Sequence, residues 1–170
     1  MKVILFDLGK TLEDQDILLP GAMEILQTLY ELQTSNSENV AIALISDFTM
    51  PTQSDQIPTI QQEYYDILEN LGIRSFFEPV EQKVTLSTEV GVFKPDEQIF
   101  RAAIDKISHG INFNDVMFVT ENLHHVVAAR NLEMTSIHYQ GPGQSSGDIE
   151  TLIGLIPLIQ EFLGVDSFST

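Results

Sequence analysis

Short runs of apolar residues alternate along this chain with segments of helical periodicity. Four runs rich in Val, Ile, Leu and Phe are closed by polar or turn residues, a pattern typical of strands buried on both faces. These runs predict strands over residues 2–8, 40–45, 116–119 and 135–139.

Between these runs, apolar residues recur every three or four positions, which predicts amphipathic helices. The predicted helices cover residues 22–32, 60–71, 96–107, 123–132 and 149–163. Gly72 is placed to close the second helix, and Pro157 should bend the last one. Polar loops are expected over 33–39 and 140–147, whereas residues 76–90 show no clear periodicity.

Strands that alternate with helices predict βαβ units and an α/β fold. The sheet should be mostly parallel, with helices on both faces. A chain of 170 residues without an internal linker or repeat is expected to form a single domain over 1–170. In such sheets the ligand site lies beyond the carboxyl ends of the strands.

No apolar stretch approaches the ~20 residues that span a bilayer, so no membrane segment is expected. The apolar run at residues 3–6 is too short for a signal peptide. The chain has no Cys, which excludes disulfides, thiolate catalysis and Cys-bound metals. A cytoplasmic location is the resulting expectation.

Charge narrows the possible ligands. Twenty-five acidic against eight basic residues give a formal net charge of -17, which should repel polyanions and argues against nucleic acid as a partner. A phosphorylated substrate would need local compensation by a cation, a metal or backbone N–H groups. The acidity also has a simpler interpretation, namely that it keeps the protein soluble.

Polar side chains follow the predicted strands. Asp7 follows the first strand, Ser46 the second and Glu121 the third, while Lys94 precedes a helix. Two carboxylates, a hydroxyl and an ammonium group at one edge suit phosphoryl transfer. Each has an ordinary alternative, since an Asp or Ser after a strand is often a turn residue and Lys94 could be a surface charge.

Four segments also match, in the same order, the motifs of a known superfamily. They are Phe-Asp-Leu-Gly-Lys-Thr-Leu at 6–12, Leu-Ile-Ser-Asp at 44–47, Val-Gly-Val-Phe-Lys-Pro-Asp at 90–96 and Phe-Val-Thr-Glu-Asn-Leu-His-His at 118–125. From residue 2 to about residue 139, the chain resembles the haloacid dehalogenase-like (HAD) hydrolases. The third segment is the most specific match.

The resemblance implies a Rossmann-like fold and a mechanism that passes through an aspartyl-phosphate. Asp7 would be the nucleophile, and Ser46 and Lys94 would hold the phosphoryl oxygens. Mg²⁺ would be bound by Asp7, the backbone carbonyl of Gly9 and Glu121, with waters completing an octahedron.

Two positions depart from the family pattern. Gly9 stands where an Asp usually acts as general acid and base, a contribution typically worth ~100- to 10,000-fold. His125 replaces the usual second acid of the fourth motif. Glu121 and His125 could bind a softer ion such as Zn²⁺ or Mn²⁺, although an i,i+4 contact between them is the default expectation.

The motif spacing leaves no room for a cap domain, so the resemblance implies an open site that the loop at 47–59 could partly cover. The substrate would be a small phosphorylated molecule or a phosphoprotein. Two hypotheses follow: a Mg²⁺-dependent phosphohydrolase of low or narrow activity, or a catalytically impaired HAD-fold module that binds an anion or a protein partner.

Overall fold

Seven strands are present in the computed structural model, which describes residues 1–35 and 39–165. In chain order they are β1 (Lys2–Phe6), β2 (Glu13–Asp14), β3 (Ile17–Leu18), β4 (Val40–Ser46), β5 (Val84–Leu86), β6 (Val116–Thr120) and β7 (Thr135–His138). Five of them form a parallel sheet in the order β5-β4-β1-β6-β7, whereas β2 and β3 pair as a separate antiparallel hairpin. The α/β fold with a parallel central sheet is therefore confirmed.

The helices are α1 (Ala22–Ser35), α2 (Ile57–Asn70), α3 (Val80–Lys83), α4 (Ser87–Val90), α5 (Glu97–Ile107), α6 (Leu123–Asn131) and α7 (Leu155–Leu163). Short 3₁₀ turns lie at Ser54–Gln56, Arg74–Phe77, Phe113–Asp115 and Leu152–Gly154. Within the described part of the chain, no helix has the length and apolar character needed to cross a membrane.

Apolar side chains of β1 alternate between two cores, one on each face of the sheet. Ile4 and Phe6 belong to the core that includes buried residues of α1, α2 and α7. Val3 and Leu5 belong to the core that includes buried residues of α5 and α6. Because successive side chains of a strand point to opposite faces, a continuous apolar run requires cover on both sides, as predicted.

Two predicted helix ends are confirmed. The Asp96 side chain caps α5 by accepting a hydrogen bond from the backbone N–H of Gln98 at 2.8 Å. Gly72 follows α2 with φ +73°, and the N–H groups of Gly72 and Ile73 return to carbonyls of the last turn. This is a Schellman closure, which needs a residue in the left-handed region.

The prediction for residues 149–163 is wrong in its first part. Ile149 forms a β-bridge with Tyr139, and a regular helix begins at Leu155. Pro157 therefore lies in the first turn, where a missing N–H removes no helical hydrogen bond and no bend is required.

Two further segments differ from expectation. The expected loop at 33–39 begins later, because α1 continues to Ser35; residues 36–38 lie outside the described residues. The stretch at 76–90 contains α3, β5 and α4 in succession, each only three or four residues long.

Strand register brings the functional candidates to one edge of the sheet. Phe6 pairs with Leu44 of β4 on one side and with Val119 of β6 on the other. The residues that follow these three strands therefore emerge together at the carboxyl edge.

Candidate active site at the carboxyl edge of the sheet

A buried ion pair lies at the centre of this edge. The Asp7 Oδ1 atom accepts a hydrogen bond from Lys94 Nζ at 2.7 Å, and the side chains are 12% and 2% exposed respectively. The backbone N–H of Leu8 also donates to Asp7 Oδ1, at 2.9 Å. Two residues 87 positions apart in the chain are thus held in one charged contact, and removal of either partner would leave a buried charge uncompensated.

Lys94 is positioned by the strand next to β1. Its Nζ also donates to the carbonyl of Ile45 at 3.1 Å, and its backbone N–H donates to Asp47 Oδ1 at 2.8 Å. Asp47, directly after β4, therefore fixes the loop that delivers the ammonium group to Asp7.

Ser46, the last residue of β4, is buried at the same edge of the sheet. Its hydroxyl lies 2.6 Å from the hydroxyl of Tyr64 on α2. Burial raises the pKa of Tyr64, and the hydrogen bond to Ser46 acts in the opposite direction. The phenol is thus a neutral partner that orients the Ser46 hydroxyl.

Thr120 contacts Asp7, although the sequence did not identify it. The Thr120 hydroxyl, at the end of β6, donates to Asp7 Oδ2 at 3.0 Å and accepts a hydrogen bond from the N–H of Asn122. Both carboxylate oxygens of Asp7 are therefore hydrogen-bonded. Its position in the sequence could have identified it, because Thr120 directly precedes Glu121 at the end of the strand that pairs with β1.

Glu121 follows Thr120, and hydrogen bonds hold its backbone in place. Its N–H donates to the Thr11 hydroxyl at 3.1 Å, and its carbonyl accepts from His138 Nε2 and from the Gln144 side chain. Burial raises the pKa of Glu121, and the negative charge of Asp7 adds to the rise. The two carboxylates are therefore close enough to repel each other.

A cavity of about 370 Å³ connects these groups. Asp7, Ser46, Lys94, Glu121 and Gly9 all line it, so every residue predicted for the site is brought together. The residues that sequence reasoning did not assign to this cavity include Glu13, Asp16, Phe48, Tyr64 and Ile67.

The expected contact between Glu121 and His125 does not form. α6 begins at Leu123, with Asn122 as its cap, so Glu121 lies before the helix and does not share a helical face with His125. Within residues 1–35 and 39–165, Nδ1 of His125 is buried without a hydrogen-bond partner.

The donor set around Asp7 fits a hard cation better than a soft one. Asp7 and Glu121 contribute carboxylates to this cavity, where burial and then the charge of Asp7 raise the pKa of Glu121, and Gly9 lines the same cavity. Oxygen donors of this kind suit Mg²⁺, which keeps several waters. Softer ions such as Zn²⁺ prefer nitrogen or sulfur donors. The described residues contain no group of three or more His, Cys, Asp or Glu side chains that could enclose a metal.

No protein-family model matches the sequence, and no curated protein is significantly similar to it. Solved structures do match. The chain is similar to an uncharacterized protein from Corynebacterium glutamicum, with a TM-score of 0.60 and 18% identity over 98% of each chain.

Two other similar structures carry the family in their descriptions. One is the putative HAD-hydrolase YfnB from Bacillus subtilis bound to magnesium, with a TM-score of 0.62 and 13% identity over 84% of this chain. The other is a HAD-superfamily hydrolase from Ehrlichia chaffeensis, with a TM-score of 0.57 and 16% identity over 88% of this chain. The chain spans 56% of the first protein and 65% of the second. The chain therefore has the fold of the haloacid dehalogenase-like (HAD) hydrolases.

Proposed function

We propose that the protein is a Mg²⁺-dependent phosphohydrolase of low or narrow activity that acts through an aspartyl-phosphate on Asp7. The observation that carries this proposal is the buried Asp7–Lys94 pair at 2.7 Å, which opens onto a cavity shared with Ser46 and Glu121. Desolvation offsets much of the attraction within a buried ion pair, so stability alone does not account for this pair beside the cavity.

The reaction uses these groups in two displacements. A carboxylate oxygen of Asp7 attacks the phosphorus of the substrate, and the leaving-group oxygen departs with the electron pair of its bond. Lys94 and the Ser46 hydroxyl hold the phosphoryl oxygens and balance their charge. Water then attacks the phosphorus, and inorganic phosphate leaves as the Asp7 carboxylate is regenerated.

Asp7, Glu121 and the Gly9 carbonyl would hold Mg²⁺, which when bound supplies Lewis-acid stabilisation of the phosphoryl oxygens. This positive charge matters in a protein with a formal net charge of -17. It would also relieve the repulsion by Asp7 that adds to the effect of burial in raising the pKa of Glu121.

The substrate class follows from access to the cavity. We propose that the chain is one capless domain, so that the site is open to a small phosphorylated molecule or to a phosphorylated side chain of another protein. The segment after β4, whose Phe48 lines the cavity, is the candidate for partial cover.

The test is phosphate release from acetyl phosphate, p-nitrophenyl phosphate and sugar phosphates, measured with Mg²⁺ or with EDTA. We expect metal-dependent turnover in the wild type and none in Asp7→Asn, which keeps the size of the side chain but removes the nucleophilic charge. Asp66→Asn, an exposed change on α2 purified in parallel, controls for contaminating phosphatases.

No turnover at high enzyme concentration, or equal turnover in the wild type and Asp7→Asn, would contradict the proposal. The alternative is then a module that binds an anion or a protein partner without hydrolysis. The Thr120 hydrogen bond to Asp7 Oδ2 favours it, because that oxygen is already engaged. Binding of inorganic phosphate without turnover, measured by calorimetry, would support this alternative.

A further inference from the structure

Position 9 lacks a side chain at the point where the proposed reaction needs a proton donor. We propose that Glu13 supplies the general acid and base in its place; this inference rests on the proposed phosphohydrolase function. Glu13 is not one of the residues that the family motifs identify. The structure brings it to the cavity through the fold of its own loop.

The distance between the two positions carries the inference. A Cβ atom built on Gly9 would lie 3.7 Å from Oε1 of Glu13, the nearest atom to it outside the adjoining residues. The Glu13 carboxyl group thus occupies the space next to the missing side chain. Glu13 also lines the same cavity as Asp7, Ser46 and Lys94.

The backbone explains why Glu13 returns to position 9. Gly9 and Glu13 form an isolated β-bridge, in which the N–H of Lys10 donates to the Glu13 carbonyl at 2.6 Å. The N–H of Glu13 donates to the Leu8 carbonyl at 3.2 Å. Residues 8–13 therefore form a tight loop in which Glu13 lies beside Gly9.

The hairpin that follows orients the Glu13 side chain. β2 and β3 are joined by Gln15 and Asp16, which both have positive φ, as a type I′ turn requires. The N–H of Asp16 donates to Glu13 Oε2 at 3.0 Å. One carboxyl oxygen is thus fixed by the turn, and the other is the oxygen nearest position 9.

In the first displacement, Asp7 forms its bond to phosphorus while the bond between phosphorus and the leaving-group oxygen breaks. That oxygen takes the electron pair and receives the proton of the Glu13 carboxyl group, which gives a neutral alcohol and a Glu13 carboxylate. In the second displacement, the carboxylate accepts a proton from the attacking water. The phosphorus–Asp7 bond breaks, and Glu13 is protonated again.

The test is a series of phosphate esters whose leaving groups differ in basicity, from acetyl phosphate through p-nitrophenyl phosphate to phenyl phosphate and an alkyl phosphate. General acid help matters most for the basic leaving groups, which cannot depart as anions. We expect Glu13→Gln to lose about 100-fold or more in kcat/KM on the alkyl ester and little in kcat/KM on acetyl phosphate, because kcat/KM reports the first displacement.

Rescue separates catalysis from a structural effect. The Cβ of an Asp at position 9 would meet Glu13 at an ordinary contact distance, so Gly9→Asp is sterically accommodated. Gly9→Asp in the Glu13→Gln background should restore much of the alkyl-ester activity. Asp14→Asn is the matched control, because Asp14 is the neighbouring acid of β2 and does not line the cavity.

The outcomes distinguish the two proposals. No Asp7-dependent turnover in the wild type would overturn the phosphohydrolase function and this inference together. Asp7-dependent turnover whose kcat/KM Glu13→Gln leaves unchanged, or lowers equally for every leaving group, would overturn the role of Glu13 as the general acid alone. A steeper dependence on leaving-group basicity in Glu13→Gln, relieved by Gly9→Asp, is the result that supports it.

Discussion

His125 is a partly buried imidazole among charged neighbours at the edge of the site. Burial lowers the pKa of His125, and the positive charges of Lys94 and His124 act in the same direction. The carboxylates of Asp7 and Asp47 oppose them without reversing the result. The folded protein therefore binds a proton on His125 less readily than the unfolded chain does.

This difference predicts how stability responds to pH. As pH falls through about 6.5, the ordinary pKa of histidine, the unfolded chain takes up a proton that folded His125 refuses. The contribution of His125 to the free energy of unfolding should therefore fall across this range and level off below its folded pKa. Urea unfolding at pH steps from 7.5 to 5.5 measures it.

His125→Gln should flatten that slope, because the replacement does not titrate. His109→Gln, at an exposed position, is the matched control and should keep the wild-type slope. Equal slopes in the wild type and His125→Gln would show that another group governs the pH dependence.

At the same scale, the sequence identified some site residues and missed others for a physical reason. Asp7, Ser46 and Glu121 could be predicted because each lies at or directly after the end of a strand, and parallel strands end at one edge. Glu13 could not, since its place depends on a loop that folds back on Gly9. Tyr64 could not, because a Tyr in an amphipathic helix resembles any core residue until the Ser46 contact is seen.

Helix α6 ends with a Schellman closure in which a glutamate, Glu133, occupies the left-handed position. Glu133 has φ +70°. Its N–H donates to the backbone carbonyl of Arg130, and the N–H of Met134 donates to the backbone carbonyl of Ala129. This left-handed position favours glycine, because the Cβ of other residues is crowded there. A carboxylate is also unfavourable beside the negative end of the helix dipole.

Glu133→Gly should raise the free energy of unfolding by about 0.5–1 kcal/mol. The substitution relieves the strain of the left-handed backbone, but part of this gain is lost because glycine gives the unfolded chain more conformational entropy. Urea unfolding near neutral pH measures the change. Glu133→Gln removes the charge but keeps the strained backbone, so it should gain less. A gain in Glu133→Gln equal to that in Glu133→Gly would assign the effect to charge instead.

The same motif shows which elements a sequence can reveal. The end of α2 could be predicted because Gly72 stands at the left-handed position, whereas Glu133 gives no such signal. β5 was missed because three residues are too few to show a period of two. The bridge between Tyr139 and Ile149 is a tertiary contact, so local periodicity favoured a helix there instead.

Across the whole molecule, charge is strongly unbalanced. Among the residues that the structure describes, five of the eight basic side chains form ion pairs with carboxylates: Lys2, Arg74, Lys94, Lys106 and Arg130. Acidic residues far outnumber basic ones, so carboxylates repel one another over the whole surface of the protein. Compaction brings these charges closer than they are in the unfolded chain.

Salt should therefore stabilise the fold. Raising ionic strength from 0.01 M to about 0.15 M shortens the Debye length from about 30 Å to about 8 Å, which screens repulsion across the surface more than the buried Asp7–Lys94 pair. The free energy of unfolding in urea, a neutral denaturant, should rise over this range. Sodium chloride and tetramethylammonium chloride should raise the free energy of unfolding equally, because screening depends on ionic strength. A rise with the sodium salt alone would point to a specific cation site. A fall in the free energy of unfolding would show that the surface ion pairs outweigh the repulsion.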